Sequence, residues 1–178
     1  SISVSDNLIA DSDAGQKFTV TVQFDENMDN TVTPDVEFIP NVVGETLTFN
    51  IGWWSSDNRC YYENYTISDA NVENFDVDIK VENAKDLAGN PQVSFQDNNK
   101  FDIDTKEPTV VSATASPDPA NAGIVTVTVV FSENMDNGVS PTVQVTGLTS
   151  SPYSVTESSY VGENWVGTFT LNDNDEVV

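Results

Sequence analysis

Histidine is absent from this 178-residue chain, cysteine occurs once, and lysine plus arginine together number six. Each shortage closes a class of function. Without histidine there is no Ser-His-Asp or Cys-His catalysis, and most zinc sites lose their usual ligand. One cysteine, Cys60, allows no intrachain disulfide. It can serve as a small buried hydrophobe, an intermolecular bridge, or a nucleophile with Arg59 beside it and no histidine base. Six bases against 29 acids give a net charge of −23. A polyanion gains nothing from neutralising phosphates, so nucleic acid and anionic membrane are poor partners. No apolar run approaches the ~20 residues that cross a bilayer as a helix, and no basic-then-apolar leader opens the sequence.

What is abundant is carboxylate, unevenly spread. Residues 1–104 carry 20 acids and 5 bases, and residues 105–178 carry 9 acids and one base, Lys106. Few salt bridges are available to such a surface, so salt or bound cations must screen it. Hard cations with oxygen ligands, calcium above all, fit this composition. A saline or extracellular setting suits it equally well.

An internal repeat organises the chain. Phe24-Asp25-Glu26-Asn27-Met28-Asp29-Asn30 recurs as Phe131-Ser132-Glu133-Asn134-Met135-Asp136-Asn137. Upstream, Thr19-Val20-Thr21-Val22 answers Thr126-Val127-Thr128-Val129. Downstream, Pro34-Asp35-Val36-Glu37-Phe38 answers Pro141-Thr142-Val143-Gln144-Val145, and Tyr65-Thr66-Ile67-Ser68-Asp69 answers Phe169-Thr170-Leu171-Asn172-Asp173. One unit is about 105 residues, the size of a small β-sandwich. The domains expected are 1–104 and 105–178.

The periodicity is that of strands throughout. Residues 17–24 alternate with period two and are rich in β-branched side chains. In residues 75–82, Phe75, Val77, Ile79 and Val81 are expected on one face, with Asp76, Asp78, Lys80 and Glu82 on the other. The first repeat reads as seven strands, near 2–9, 17–24, 34–39, 46–52, 61–67, 75–82 and 93–103, separated by turn-rich segments. Seven short strands at this spacing argue for an all-β sandwich. The second repeat offers strands near 109–116, 124–131, 141–146, 153–158 and 165–171. Counterparts of the last two strands are missing, so the second sandwich is expected to be incomplete at its C-terminus. The alternative is that residues 150–178 supply them by a shorter topology.

The repeated Phe-x-Glu-x-Met-Asp, the stretch Tyr65 to Val72, Ala84-Lys85-Asp86-Leu87-Ala88-Gly89-Asn90, and the segment Phe101 to Val110 together resemble bacterial immunoglobulin-like tandem repeats. Those belong to large secreted or cell-surface proteins of the adhesin type. The likeness covers the first repeat and about two-thirds of the second. It departs at Lys106-Glu107, where small residues are usual, and at Cys60. The resemblance implies an extracellular, non-catalytic array of modules joined end to end, with calcium at the junctions.

Under that topology the loops expected to meet between repeats carry Asp11, Asp13, Asp69, Glu73, Asp102, Asp104, Glu107, Glu133 and Asp136. Asp69, Asp102, Asp104, Glu107, Glu133 and Asp136 are the expected calcium ligands, since calcium takes six to eight oxygens from several loops. The bland alternative is a set of solvated acids. The far end of the first repeat holds Glu26, Asp29, Asp86 and Asn90, a second place for an ion. No EF-hand loop appears. Trp53, Trp54, Tyr61 and Tyr62 are either core and rim packing or a platform for a glycan or protein ligand. The functions these features allow are a structural extender of an adhesin or stalk, a subunit of a surface layer or appendage, and a binding module. The partners expected are neighbouring repeats of the same polypeptide or polymer, with no membrane insertion.

Overall fold

A computed structural model describes residues 1–118, 120–148 and 151–172. Among the described residues the fold is all-β, with one 3₁₀ turn at Asp11–Asp13. The chain divides into two compact units, Ser1–Glu107 and Pro108–Val178. Residues 105–107 go with the first unit for a local reason. The Thr105 N–H donates to the Val72 carbonyl at 2.9 Å, and the Glu107 N–H donates to Asn71 Oδ1 at 2.9 Å.

The first unit has eight strands: β1 (Ile2–Val4), β2 (Leu8–Ala10), β3 (Lys17–Gln23), β4 (Asp35–Ile39), β5 (Leu47–Trp54), β6 (Cys60–Ile67), β7 (Glu73–Glu82) and β8 (Phe95–Asp104). They form two four-stranded sheets, ordered β1-β3-β6-β5 and β2-β8-β7-β4. All pairings are antiparallel except β2 with β8. The single first strand expected over residues 2–9 is split between the sheets. The break falls at Ser5-Asp6-Asn7, where Asp6 Oδ1 accepts the Leu8 N–H and Ser5 Oγ accepts the Thr19 N–H. One continuous segment therefore contributes Ile2 to one side of the core and Ile9 to the other.

Between the sheets lie Phe18, Val20 and Val22 of β3, Tyr65 and Ile67 of β6, Val77, Ile79 and Val81 of β7, and Phe101 and Ile103 of β8. Their period-two spacing is what a sheet buried on one face requires. Phe101 is the hub, with its ring centroid 4.7 Å from that of Phe18 and 5.8 Å from that of Phe38. Phe75 departs from the expected alternation and is 57% exposed. The register breaks between Asn74 and Val77. At the break Asp76 takes a left-handed φ of 57° and donates its N–H to Asp102 Oδ1 at 2.8 Å. A bulge inserts an extra residue and re-aims the side chain before it. A second irregularity, between Val77 and Ile79, is closed by Asp78 Oδ1, which accepts the Asn99 N–H.

The second unit has β9 (Val110–Ser116), β10 (Gly123–Phe131), β11 (Gln144–Val145), β12 (Tyr153–Ser154), β13 (Thr156–Val161) and β14 (Asn164–Leu171). Its main sheet is ordered β13-β14-β10-β9, and among the described residues β11 pairs only with β12. Val125, Val127, Val129, Trp165, Phe169 and Leu171 form the core, with Val143, Val145, Leu148, Tyr153 and Val155 laid against it. Gly167 is required here: a Cβ would stand 2.4 Å from Trp165 Cη2. The strand expected at 141–146 shrinks to two residues, and that at 153–158 breaks at Val155, whose N–H donates to the Val143 carbonyl. Among the described residues this unit has no strands answering β7 and β8. Asp173, matched to Asp69 in the repeat, lies outside the described residues.

The repeat is visible in the pairing. In the first unit β3 meets β6 with Phe18 opposite Tyr65 and Thr19 opposite Asn64. In the second, β10 meets β14 with Val125 opposite Phe169 and Thr126 opposite Thr168. These are the positions that the sequence alignment of the two halves makes equivalent. Replacing the hub side chain, Phe101→Ala, is expected to cost about 3–5 kcal/mol of stability, as a buried aromatic truncation does. Val93→Ala, at a site 86% exposed, should stay within about 0.5 kcal/mol. Denaturant midpoints read both, and equal effects would show that the core does not turn on Phe101.

Candidate functional site

Four of the expected calcium ligands belong to the first unit. Asp69 follows β6, and its Oδ1 accepts the Asn71 N–H at 3.0 Å. Asn71 in turn accepts the Glu107 N–H, so the Asp69 turn and Glu107 are tied together. Asp102 and Asp104 end β8. Asp102 Oδ1 is occupied by the Asp76 N–H, and Asp104 Oδ1 accepts the Lys106 N–H at 3.4 Å. Asp104 sits in register with Glu73, whose carboxylate pairs with Lys106 Nζ at 3.1 Å. Glu133 and Asp136 belong to the second unit, in the segment between β10 and β11, and Asp136 Oδ1 accepts the Gly138 N–H at 2.9 Å. Asp13 is engaged with the Ala10 N–H at 2.9 Å, closing the 3₁₀ turn.

The other acidic end of the first unit is self-closing in the same way. Asp86 accepts the Asn90 N–H at 2.8 Å and the Asn90 side-chain amide at 2.7 Å, with Gly89 at φ 89° completing the turn. These bonds hold the Asp86 carboxyl below the usual carboxylate range. Asp29 is held low likewise by the Thr31 hydroxyl and N–H. The Asp-Leu-Ala-Gly-Asn motif is thus a turn that ties its own ends. An open depression of about 870 Å³, lined by Phe24, Met28, Arg59, Gln92 and Phe95 among others, lies at this end.

The four aromatics proposed as a ligand platform divide between the two faces of their sheet. Trp53 and Tyr62 are cross-strand partners on the outer face, with rings 5.2 Å apart and 20° from parallel. Trp54 and Tyr61 point inward. Tyr61 is buried, and Trp54 packs between it and Phe24 at centroid distances of 5.2 and 5.5 Å. Trp54 and Tyr61 thus face the core side of the sheet and Trp53 and Tyr62 its outer side, because successive strand residues face opposite ways.

A buried carboxyl, Glu63, shares this inner face with Tyr61, Tyr65 and Ile67. The Tyr65 hydroxyl donates a short hydrogen bond to Glu63 Oε2. Gly52, opposite Glu63 on β5, leaves space for the Tyr61 hydroxyl, because a Cβ there would stand 2.1 Å from Tyr61 Oη. A cleft of about 480 Å³ lined by Asp35, Val36, Phe49, Tyr61, Glu63 and Tyr65 opens onto this group. Burial raises the Glu63 pKa above the ordinary carboxylate value, the Tyr65 and Tyr61 hydroxyls oppose the rise, and the Asp35 charge adds to it. Burial, and then the Glu63 charge, push Tyr61 up to about 12. Burial, then the hydrogen bond to Glu63 and the charges of Glu63 and Tyr61, raise the Tyr65 phenol as well. The alternation Tyr61-x-Glu63-x-Tyr65-x-Ile67 carried the signal for this placement.

No family model, curated protein or solved structure matches the chain.

With its folded pKa raised, Glu63 contributes most to stability when protonated. That contribution is complete below the unfolded value of about 4.3 and is lost as pH rises through the folded pKa. Glu63→Gln, isosteric with the neutral acid, should therefore be more stable than the parent at pH 7, with the gap closing toward pH 4. Denaturant midpoints across that range test it. A loss of stability at pH 7 greater than at pH 4 would mean that the phenols stabilise a carboxylate.

Proposed function

We propose that the chain is a non-catalytic segment of tandem immunoglobulin-like modules, a structural extender within a cell-surface adhesin or stalk. The observation that carries this reading is the register-matched strand pair, β3 with β6 and β10 with β14, repeated at equivalent positions in two compact units. The strand order of the first unit supports it. The order β1-β3-β6-β5 facing β8-β7-β4 resembles the A-B-E-D and C-F-G sheets of a constant-type immunoglobulin sandwich, with β2 added beside β8. The use made of carboxylates points the same way: Asp69, Asp78, Asp86, Asp102 and Asp136 each accept a backbone N–H and so close turns and bulges. A chain of charge −23 keeps its copies apart and soluble in salt.

Calcium belongs to this reading as a stiffening ion. Asp69, Asp102, Asp104 and Glu107 of the first unit, with Glu73 opposite Asp104, supply the hard oxygen donors it prefers. Glu133 and Asp136 are hard oxygen donors of the second unit.

Two measurements test the proposal. Protease treatment of intact cells producing the protein should release fragments of this segment; protection until lysis would place it inside the cell and end the surface reading. Melting of the full chain should rise between chelator and millimolar calcium, by the equivalent of about 2.7 kcal/mol if calcium stands at a hundredfold its dissociation constant. Asp104→Asn should shrink the rise. An unchanged melting temperature would remove calcium from the reading and leave the extender to stand on the repeat alone.

A further inference from the structure

The acids of the first unit are segregated between its two outer faces. On the β2-β8-β7-β4 sheet the outward positions include Glu37, Asp78, Glu82, Asp102 and Asp104. On the β1-β3-β6-β5 sheet the outward positions of all four strands carry no acid, and Lys17 is their one charge. In a chain with 29 acids, one lateral face is a neutral surface of hydroxyls, amides and aromatic rings.

That face is also ordered. Trp53 and Tyr62 stack with their planes 20° apart. Trp53 remains 38% exposed, and Ile51 beside it on β5 is 55% exposed. Next along β6 comes Asn64, whose Oδ1 accepts the Thr19 hydroxyl at 2.7 Å, and then Thr66, whose Oγ1 accepts the Asn50 side-chain amide at 2.9 Å. These bonds fix the side chains and leave the Asn64 amide nitrogen and the Thr66 hydroxyl hydrogen as donors. Tyr62, Asn64 and Thr66 follow one another on one face of one strand, roughly 6.6 Å apart, twice the rise per residue.

We propose that this face binds an uncharged glycan. The chemistry of a neutral sugar chain matches it group for group. An aromatic face takes the C–H side of a pyranose ring by dispersion and weak C–H···π contact. Fixed amides and hydroxyls take the ring hydroxyls, and because they are already ordered, less entropy is lost on binding. Charge selects the class. The outward strand positions offer a neutral ligand no carboxylate, although Asp57 in the turn between β5 and β6 lies close enough to act on Tyr62, whereas an acidic polysaccharide is repelled by the net charge of the whole chain. The inference stands on the first unit by itself and does not depend on the tandem reading.

The test titrates the full chain with maltohexaose and cellohexaose, and with an oligomer of galacturonic acid as the charged control. The reporter is the Trp53 indole resonance, because Trp54 and Trp165 pack inside their units. At least one glucan should shift it with a dissociation constant on the order of 0.1–1 mM. Trp53→Ala should weaken binding at least about tenfold. Thr21→Arg, at an outward position opposite Tyr62, covers the ring without touching the core and should do the same if Trp53→Ala fails to fold. Three results would overturn the proposal: neither glucan moves the resonance, the acidic oligomer moves it as readily, or Trp53→Ala abolishes self-association while neither glucan binds. The last would identify the face as a contact between copies of this chain.

Discussion

Seven residues of β3, Lys17 to Gln23, pair without interruption with Thr66 to Cys60 of β6. The rest of the first unit is arranged around this ladder. Its register sets Phe18, Val20 and Val22 beside Tyr65, Glu63 and Tyr61 on the inside, and Thr19 and Thr21 beside Asn64 and Tyr62 on the outside. A slip of one residue would exchange the two sets, turning three aromatic side chains to water and two threonines and an asparagine into the core. The buried carboxyl and the neutral outer face are two consequences of the same register. Glu63 is the one residue that the inward alternation does not suit, and it is accommodated by phenol donors and by the space left at Gly52.

Charge is the second constraint, and it is handled locally. With so few bases, the surface cannot be neutralised by ion pairs. Among the described residues the pairs involve Lys80 with Glu37 and Glu82, Lys100 with Asp97, and Lys106 with Glu73. Exposed pairs of this kind contribute little, because solvent and salt screen them. The acids gain more from backbone donors. An aspartate that accepts an N–H two or four residues on closes a turn, and one that accepts an N–H from the next strand secures a bulge. The two bulges of β7-β8 are both held in this second way, by Asp102 and Asp78. Excess charge is thereby converted into loop geometry, and the residual repulsion is left to salt.

Much of this was legible in the sequence, because period-two alternation depends on backbone geometry alone. The strands at 17–24 and 61–67 and their repeated partners were readable for that reason. What was not readable depends on contacts between distant residues. Phe75 continues the apolar alternation of its strand, yet Asp76 turns left-handed to meet Asp102, and the pairing re-aims Phe75 outward. The first strand reads as one segment because nothing in residues 2–9 states that the two halves belong to different sheets. Trp53 and Trp54 are indistinguishable by composition, and only the parity set by the β6 register separates the exposed ring from the packed one. The acids of the expected calcium set were picked by residue type and loop position, and their bonds to nearby N–H groups are a matter of geometry that residue type does not reveal.

The division between the two outer faces of the first unit gives these constraints a common sense. The sheets of the first unit present two broad outer surfaces of opposite character. On one lateral face, Lys80 lies between Glu37 and Glu82 while Asp78, Asp102 and Asp104 keep the surface anionic. That face repels other copies and any acidic polymer within about a Debye length, ~8 Å at physiological salt. On the other face, contact carries no charge penalty, and the exposed apolar area of Trp53 and Ile51 favours whatever covers it. The polarity of the partner follows from this asymmetry: it must be neutral enough to approach a polyanion and flat enough to lie on a sheet. An extended chain of hydroxyl-bearing rings meets both conditions without requiring any change in the fold.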